Sequence, residues 1–320
     1  GYPALTHYQR YEEASFVVPL FLAIMKKILL ILCLLTLVGC GGAPEEEATT
    51  FAFIDDYGRD VTVPLEVRRI VSVSPAVTEI VYALGAGDRL VGRTDYCNYP
   101  EAADTLPSIG GISNLNVEAI IRLKPDLVIC GSMVQKKTSD QLAKLGIPMA
   151  CVTEKKQYDG LYDNIAKIGQ LVGCKTQSDS LIGRLRMQLS LIDTMGKYNY
   201  GPNEQVPLPT VYYVVGFGKG GDYTAGGNTF INDIIRFAGG RNLAEFVSGW
   251  NFSKEKLLEA QPSYILIRQE DAETFCNTPP YNSLMAVRIG HVIPIESGII
   301  DQQVPRNIEA IRLISDAINQ

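Results

Sequence analysis

Histidine is nearly absent from this chain, which holds only His7 and His291. That count excludes a zinc site assembled from several histidines. A Ser-His-Asp triad would have to rest on His291, which Gly290 and Val292 place at the entrance to a strand. No Gly-x-Ser-x-Gly elbow accompanies it. The expectation is therefore a surface histidine, no catalytic residue and no metal site. An excess of positive charge is missing too. The 29 Lys and Arg are outnumbered by 35 Asp and Glu, leaving −6, and basic residues cluster no further than pairs such as Lys136-Lys137 and Lys155-Lys156. A nucleic-acid binder needs a basic face, so no nucleic-acid partner is expected. A membrane-length apolar run is lacking as well. Residues 28–38 make a run of 11, short of the roughly 20 that a spanning helix takes.

That short run has the marks of an export signal instead. Met25-Lys26-Lys27 supplies a basic start ahead of it. Leu37-Val38-Gly39-Cys40 closes it and resembles a bacterial lipobox, in which a small residue before Cys admits the peptidase and the Cys carries lipid. Residues 1–24 precede Met25, taken as the start, and are set aside from the fold. Residues 1–39 thus read as leader and signal and 40–50 as a tether. Gly41, Gly42 and Pro44 prevent helix there, and Glu45-Glu46-Glu47 is too charged to pack. The protein is expected outside the cytoplasm, anchored through Cys40 to a bacterial membrane on its periplasmic or cell-surface side. Apart from Cys33 and Cys40, cysteines stand at 97, 130, 151, 174 and 276, an odd set without regular spacing. Cys130 and Cys151 each end an apolar run. Buried thiols are the first reading and a single bridge the alternative.

From residue 51 onward the pattern is α/β. Residues 51–63 alternate around Asp55-Asp56-Tyr57-Gly58, as a hairpin does. Short β-branched runs at 69–73, 90–92, 127–130 and 148–152 alternate with helical stretches at 75–84, 117–123 and 141–145. Such alternation implies a parallel sheet with right-handed crossovers. In the middle, Leu181, Leu185, Leu189 and Ile192 recur at spacings of four, four and three, one face of a long helix over 176–197. At 1.5 Å per residue it would run ~33 Å, the length of a strut between lobes. Leu161, Ile165, Ile168 and Val172 form a shorter helix before it, ended by Gly173. After a Pro-containing break at 201–209 the pattern resumes. Strands fall at 211–215, 264–267 and 292–294, and helices at 229–238, 253–260 and 308–318. One detail repeats: Glu118 precedes Pro125-Asp126-Leu127 by seven residues, and Glu255 precedes Pro262-Ser263-Tyr264 by seven. The fold expected is two similar α/β lobes, 51–157 and 201–320, joined by linker helices over 158–200, with a ligand cleft between them.

Candidate site residues follow from that cleft. Gly216-Phe217-Gly218-Lys219-Gly220-Gly221 fits Gly-x-Gly-x-x-Gly after a strand, but the next helix begins only near Thr229. No helix N-terminus would then lie under a pyrophosphate, so a flexible lip loop is preferred and a dinucleotide-binding cleft enzyme is the remote alternative. Large aromatic residues in loops point to a bulky or flat ligand: Tyr96 in the first lobe, Tyr223 and Trp250 in the second, with Tyr99 read as packing. Trp250 plugging its own lobe is the competing reading. Ser74-Pro75 opens a helix whose N–H groups can attract an anion. Arg306 stands in a first helical turn, where a cation is disfavoured by ~0.3–1 kcal/mol. Either Glu309 or a ligand acid should offset it.

Several of these stretches resemble one family. They are Asp55-Asp56-Tyr57-Gly58-Arg59, Arg69-Ile70-Val71-Ser72-Val73-Ser74-Pro75-Ala76-Val77-Thr78-Glu79, Gly85-Ala86-Gly87, Asp95-Tyr96-Cys97-Asn98-Tyr99-Pro100 and Lys124-Pro125-Asp126-Leu127-Val128-Ile129. Together they resemble the periplasmic binding components of ABC importers with a rigid helical linker, which bind cobalamin, haem and ferric siderophores. The resemblance covers nearly all of 51–320. Ser-Pro-Ala-x-Thr-Glu with Tyr-x-x-Tyr-Pro is most similar to the cobalamin branch, which implies a corrinoid, cobalamin first, as bound ligand and no cofactor. Ferric siderophore or haem is the alternative. The chain has Gly110-Gly111-Ile112-Ser113 where that branch can carry tryptophan, and its first hairpin is commoner in siderophore-type members. By resemblance Tyr96 and Trp250 would lie against the corrinoid. Glu118 and Glu255 would pair with arginines of a permease dimer, the expected partner.

Overall fold

The computed structural model describes residues 25–27, 49–131, 134, 136–200 and 207–319, with 193–200 by backbone alone. The chain divides into two compact units, 1–48 and 49–320. In the first, residues 25–27 are helical; the remaining signal, the lipobox and Cys40 lie outside the described residues.

The second unit opens with an antiparallel hairpin, β1 (Thr50–Ile54) and β2 (Asp60–Pro64). Asp55 closes its turn: one carboxylate oxygen accepts the Tyr57 and Arg59 N–H groups, both at 3.0 Å, and Gly58 supplies φ +72°. Asp56 ties the hairpin down, accepting from Lys155 Nζ at 2.6 Å and from Lys167. Burial alone would raise its carboxyl, but these ammonium partners outweigh it and hold the pKa at about 2.

Two four-stranded sheets follow, every pairing within them parallel. The first comprises β3 (Ile70–Ser72), β4 (Leu90–Arg93), β7 (Leu127–Cys130) and β8 (Met149–Cys151), with a small hairpin of β5 (Gly110–Gly111) and β6 (Asn114–Leu115) beside it. The second comprises β9 (Thr210–Val214), β10 (Arg241–Asn242), β11 (Tyr264–Arg268) and β12 (Val292–Ile295). Their spatial orders are β4-β3-β7-β8 and β10-β9-β11-β12. Numbered within each sheet, both orders are 2-1-3-4, so the lobes share one topology.

The helices of the first lobe are α1 (Pro75–Ala83), α2 (Val117–Arg122) and α3 (Lys136–Lys144); α4 (Gly160–Leu171) and α5 (Lys175–Tyr200) are the linkers. The second lobe adds α6 (Phe230–Phe237), α7 (Lys254–Ala260), α8 (Gln269–Asn277), α9 (Met285–Arg288) and α10 (Asn307–Ile318). The repeat seen in sequence is structural. Asn116 caps α2 by accepting from the Ala119 N–H, and Ser253 caps α7 by accepting from that of Lys256. Lys124 and Gln261, each eight residues on and each followed by proline, both turn left-handed at φ 45°.

The linker departs from a bare strut. At 26 residues, α5 runs ~39 Å, and it packs along α4 on one side and α6 and α10 on the other. One apolar core therefore passes through both lobes, from Phe53, Ile70 and Ile80 through Ile165, Leu181 and Leu185 to Tyr213, Ile234 and Ile311. Separate cores fill the opposite sheet faces, around Val71 and Val128 in one lobe and Tyr212 and Ile265 in the other, as the two-residue period of strands requires. Splaying the lobes would open the shared core to water, which opposes hinge motion. Helix α8, rich in Gln, Glu, Asp and Thr, was not expected from the sequence, because its buried anchor is the single residue Phe275.

Cys130 and Cys151 are not buried thiols. They are cross-strand partners at the ends of β7 and β8 and form a disulfide, S–S 2.07 Å. Tertiary pairing brings their Cα atoms to 4.7 Å, within bonding range. Replacing both with alanine is expected to lower stability by about 3 kcal/mol, the loop-entropy scale for a link of this span. Urea titration of oxidised wild type and variant measures it; coincident midpoints would refute the estimate.

Candidate functional site

The carboxyl ends of β3, β7 and β8 point toward the junction of the lobes, and a cavity of about 340 Å³ lies there. Its first wall is Val73 and the opening turn of α1, Ser74 to Val77, with Ile80 one turn on. Pro75 occupies the first helical position and Ser74 is extended (φ −151°, ψ 138°), so the chain swings sharply from strand into helix. Gly131, at the end of β7, lets this turn approach: a Cβ there would meet Ser74 Oγ at 3.0 Å. Tyr96 and Ile112 add an outer apolar edge, and Ile168 of α4 contributes from the linker.

The polar side is acidic and amide-rich. Glu154 follows β8, Asn164 comes from α4, and Asp301 with Gln302 arrives from the second lobe. Asp301 accepts from the Tyr213 hydroxyl at 2.5 Å and from Arg268 Nε at 2.8 Å. Solvent reaches Glu154 from the cavity, yet the surrounding protein pushes its carboxyl up, chiefly by desolvation. Asp301 acts in the same direction, against the Gln303 N–H. Among the described lining residues none is cationic. The one positive element is the N-terminal end of α1.

Of the residues singled out from sequence, Ser74, Pro75 and Tyr96 line this cavity, whereas Tyr223, Trp250 and Arg306 do not. Tyr223 and Trp250 sit together on the second lobe: Tyr223 bridges Gly216 and Asn251, and the Thr224 N–H donates to the Trp250 carbonyl at 2.8 Å. The glycine stretch folds round Tyr223, whose hydroxyl donates to the Gly220 carbonyl at 3.0 Å. Its Gly218 N–H donates to the Tyr281 hydroxyl at 3.0 Å. The loop is thus pinned rather than loose, and the next helix starts at Phe230, too late to cradle a pyrophosphate.

Arg306 has a different role from either expected one. It is 9% exposed, and its guanidinium contacts Glu79 of α1 at 3.1 Å and Glu296 at 3.1 Å. It also lies over the Tyr99 ring, 3.3 Å from the centroid. Glu79 of the opposite lobe and Glu296 of its own, rather than Glu309, pair with this cation. His291 stacks on Tyr264, centroids 4.6 Å apart. Glu118 and Glu255 are exposed and occupy the second position of α2 and α7. A hydrogen bond from Ser253 Oγ, 2.5 Å long, orients Glu255 and lowers its pKa.

Glu154, Asn164, Asp301 and Gln302 were missed in sequence. One signal was legible: Asn164 interrupts the apolar stripe of Leu161, Ile165 and Ile168 on α4. Nothing local marks Asp301, which reaches the site only because the lobes meet.

A family model described as "periplasmic binding protein" matches residues 70–297, nearly the whole two-lobed body. The chain belongs to the periplasmic binding protein family. Among relatives of this periplasmic binding protein is an uncharacterised ABC transporter substrate-binding lipoprotein of Bacillus subtilis, 28% identical over 90% of this chain and 95% of its own. A cobalamin-binding protein of Halobacterium salinarum is 29% identical over 81% of this chain and 71% of its own. Among solved structures, the apo periplasmic haem-binding protein of Roseiflexus sp. RS-1 superposes with TM-score 0.67 at 25% identity, covering 79% of this chain and 98% of that one. The periplasmic binding protein described above is accordingly a substrate-binding protein of the ABC importer class and not an enzyme.

Proposed function

We propose that this protein captures a corrinoid, cobalamin first, and delivers it to an ABC permease while held to the membrane by lipid on Cys40. The observation that carries the ligand choice is the lining of the inter-lobe cavity. Its walls are apolar, its polar groups are Glu154, Asn164, Asp301 and Gln302, and no cation lines it among the described residues. Such a surface suits a large ligand fringed with neutral hydrogen-bond donors. It offers no cation to a ligand fringed with carboxylates, such as haem: Glu154 would face them as a like charge, and Asp301 is already paired with Arg268. The cavity is open to solvent and its volume, about 340 Å³, is smaller than a corrinoid. It takes an edge of the macrocycle, leaving the faces for the aromatic lips. The cobalamin-binding relative, similar over most of the body, supports this reading. Glu118 and Glu255 would engage the permease.

The test is titration of the purified protein with cyanocobalamin, haemin and a ferric hydroxamate, followed by calorimetry and absorbance. Cyanocobalamin should bind with the highest affinity. Tyr96→Ala should weaken it by ~1–3 kcal/mol, since Tyr96 stands at the cavity, and Trp250→Ala by less. Preferential binding of haemin or the ferric ligand would reassign the protein to the alternative.

A further inference from the structure

Asn164 lines the inter-lobe cavity, is only 4% exposed, and its Oδ1 has no hydrogen-bond partner. Buried side-chain acceptors are nearly always satisfied in folded proteins. The orphan belongs to a residue of the cavity wall, and a turn of its amide would offer the oxygen to a donor that arrives with the ligand. It interrupts an otherwise apolar helix face, so packing alone would have favoured a hydrophobe at that site. Its neighbours in the lining add acceptors that already have partners, Glu154 accepting from the Gln303 N–H at 3.3 Å. Glu154 and Asp301 present carboxylates, and Gln302 a side-chain amide. Both Asp301 oxygens are already held, by Tyr213 and Arg268, which leaves Glu154 and Asn164 to meet a new donor.

Resting on the corrinoid reading, we propose that Asn164 and Glu154 form an acceptor subsite for a primary carboxamide at the ligand's edge, and that this subsite rejects the corresponding carboxylate. A carboxamide offers two N–H donors to an acceptor-lined wall. Hydrolysed to the acid, the same group offers no N–H at neutral pH and brings a like charge beside Glu154. Loss of a required donor leaves a buried acceptor unpaired, the circumstance in which a site discriminates most strongly.

The experiment uses the mature protein at pH 7.5 with cyanocobalamin and its separated monocarboxylic acids, made by hydrolysing one propionamide at a time. Wild type should bind cyanocobalamin about tenfold or more tightly than at least one of the acids, the scale of a hydrogen bond to a charged group. Glu154→Gln should recover most of that difference. Asn164→Leu should weaken cyanocobalamin about tenfold, while the melting temperature of the ligand-free protein stays level or rises because an unsatisfied atom has been removed. Two results overturn the assignment while leaving the corrinoid reading intact. One is wild-type affinity and wild-type discrimination in both variants; the other is an Asn164→Leu protein that is less thermostable yet binds normally. Failure of wild type to bind cyanocobalamin at all would sink the corrinoid reading and this assignment together.

Discussion

Replacing Arg306 with alanine is expected to destabilise the protein by ~3–5 kcal/mol, the usual cost of stranding one partner of a buried ion pair. Glu79, 5% exposed, would be left without its cation in the inter-lobe junction. Burial already pushes the Glu79 carboxyl up despite the opposing hydrogen bond and charge of Arg306, so desolvation outweighs attraction at this site. The double variant Glu79→Met with Arg306→Met should recover much of the loss, since two apolar side chains of similar size avoid that desolvation. The cation–π contact with Tyr99 is lost in both and will limit the recovery. Chemical denaturation of wild type, both single variants and the double gives the coupling. A single variant within ~0.5 kcal/mol of wild type would show that the contact does not hold the lobes together.

The second large effect concerns transport. Glu118→Ala and Glu255→Ala are each expected to reduce uptake, and the double variant to reduce it most, with ligand affinity unchanged. Both residues are exposed, one per lobe, at the same position behind equivalent N-caps. Neither lines the inter-lobe cavity, so binding should not sense their removal. An acid in a first helical turn gains only ~0.3–1 kcal/mol from the helix dipole, a small loss of stability. Well-formed charge pairs across an interface contribute ~1.5 kcal/mol or more each. Two of them amount to roughly a hundredfold in docking at 1.4 kcal/mol per factor of ten. Uptake of labelled cyanocobalamin, together with titration on the same variants, separates the two roles. Normal uptake by the double variant would leave the helix dipole as their whole purpose.

What could be read along the chain was local. Ser74-Pro75 announces strand-to-helix reversal because proline's fixed φ suits a first helical position and lacks a donor that would be orphaned there. The Leu181, Leu185 and Ile192 stripe announces a long helix because burial of one face needs that spacing. Duplicated offsets at Glu118 and Glu255 announce duplicated lobes because capping and the left-handed exit lie within eight residues of each other. Contacts made across the fold carry no such period. Cys130 meets Cys151 through a parallel pairing at a sequence separation of 21. Arg306 meets Glu79 across 227 positions. Reading Arg306 from its own helix pointed to Glu309, the nearest acid along the chain, whereas the lobe interface supplied a nearer acid in space. Asp301 and Glu154 come from different lobes and share one cavity for the same reason. The ±4-residue geometry of helices and the period of strands set the elements. Burial of the shared core set which distant side chains met, and the inter-lobe cavity is made of those meetings.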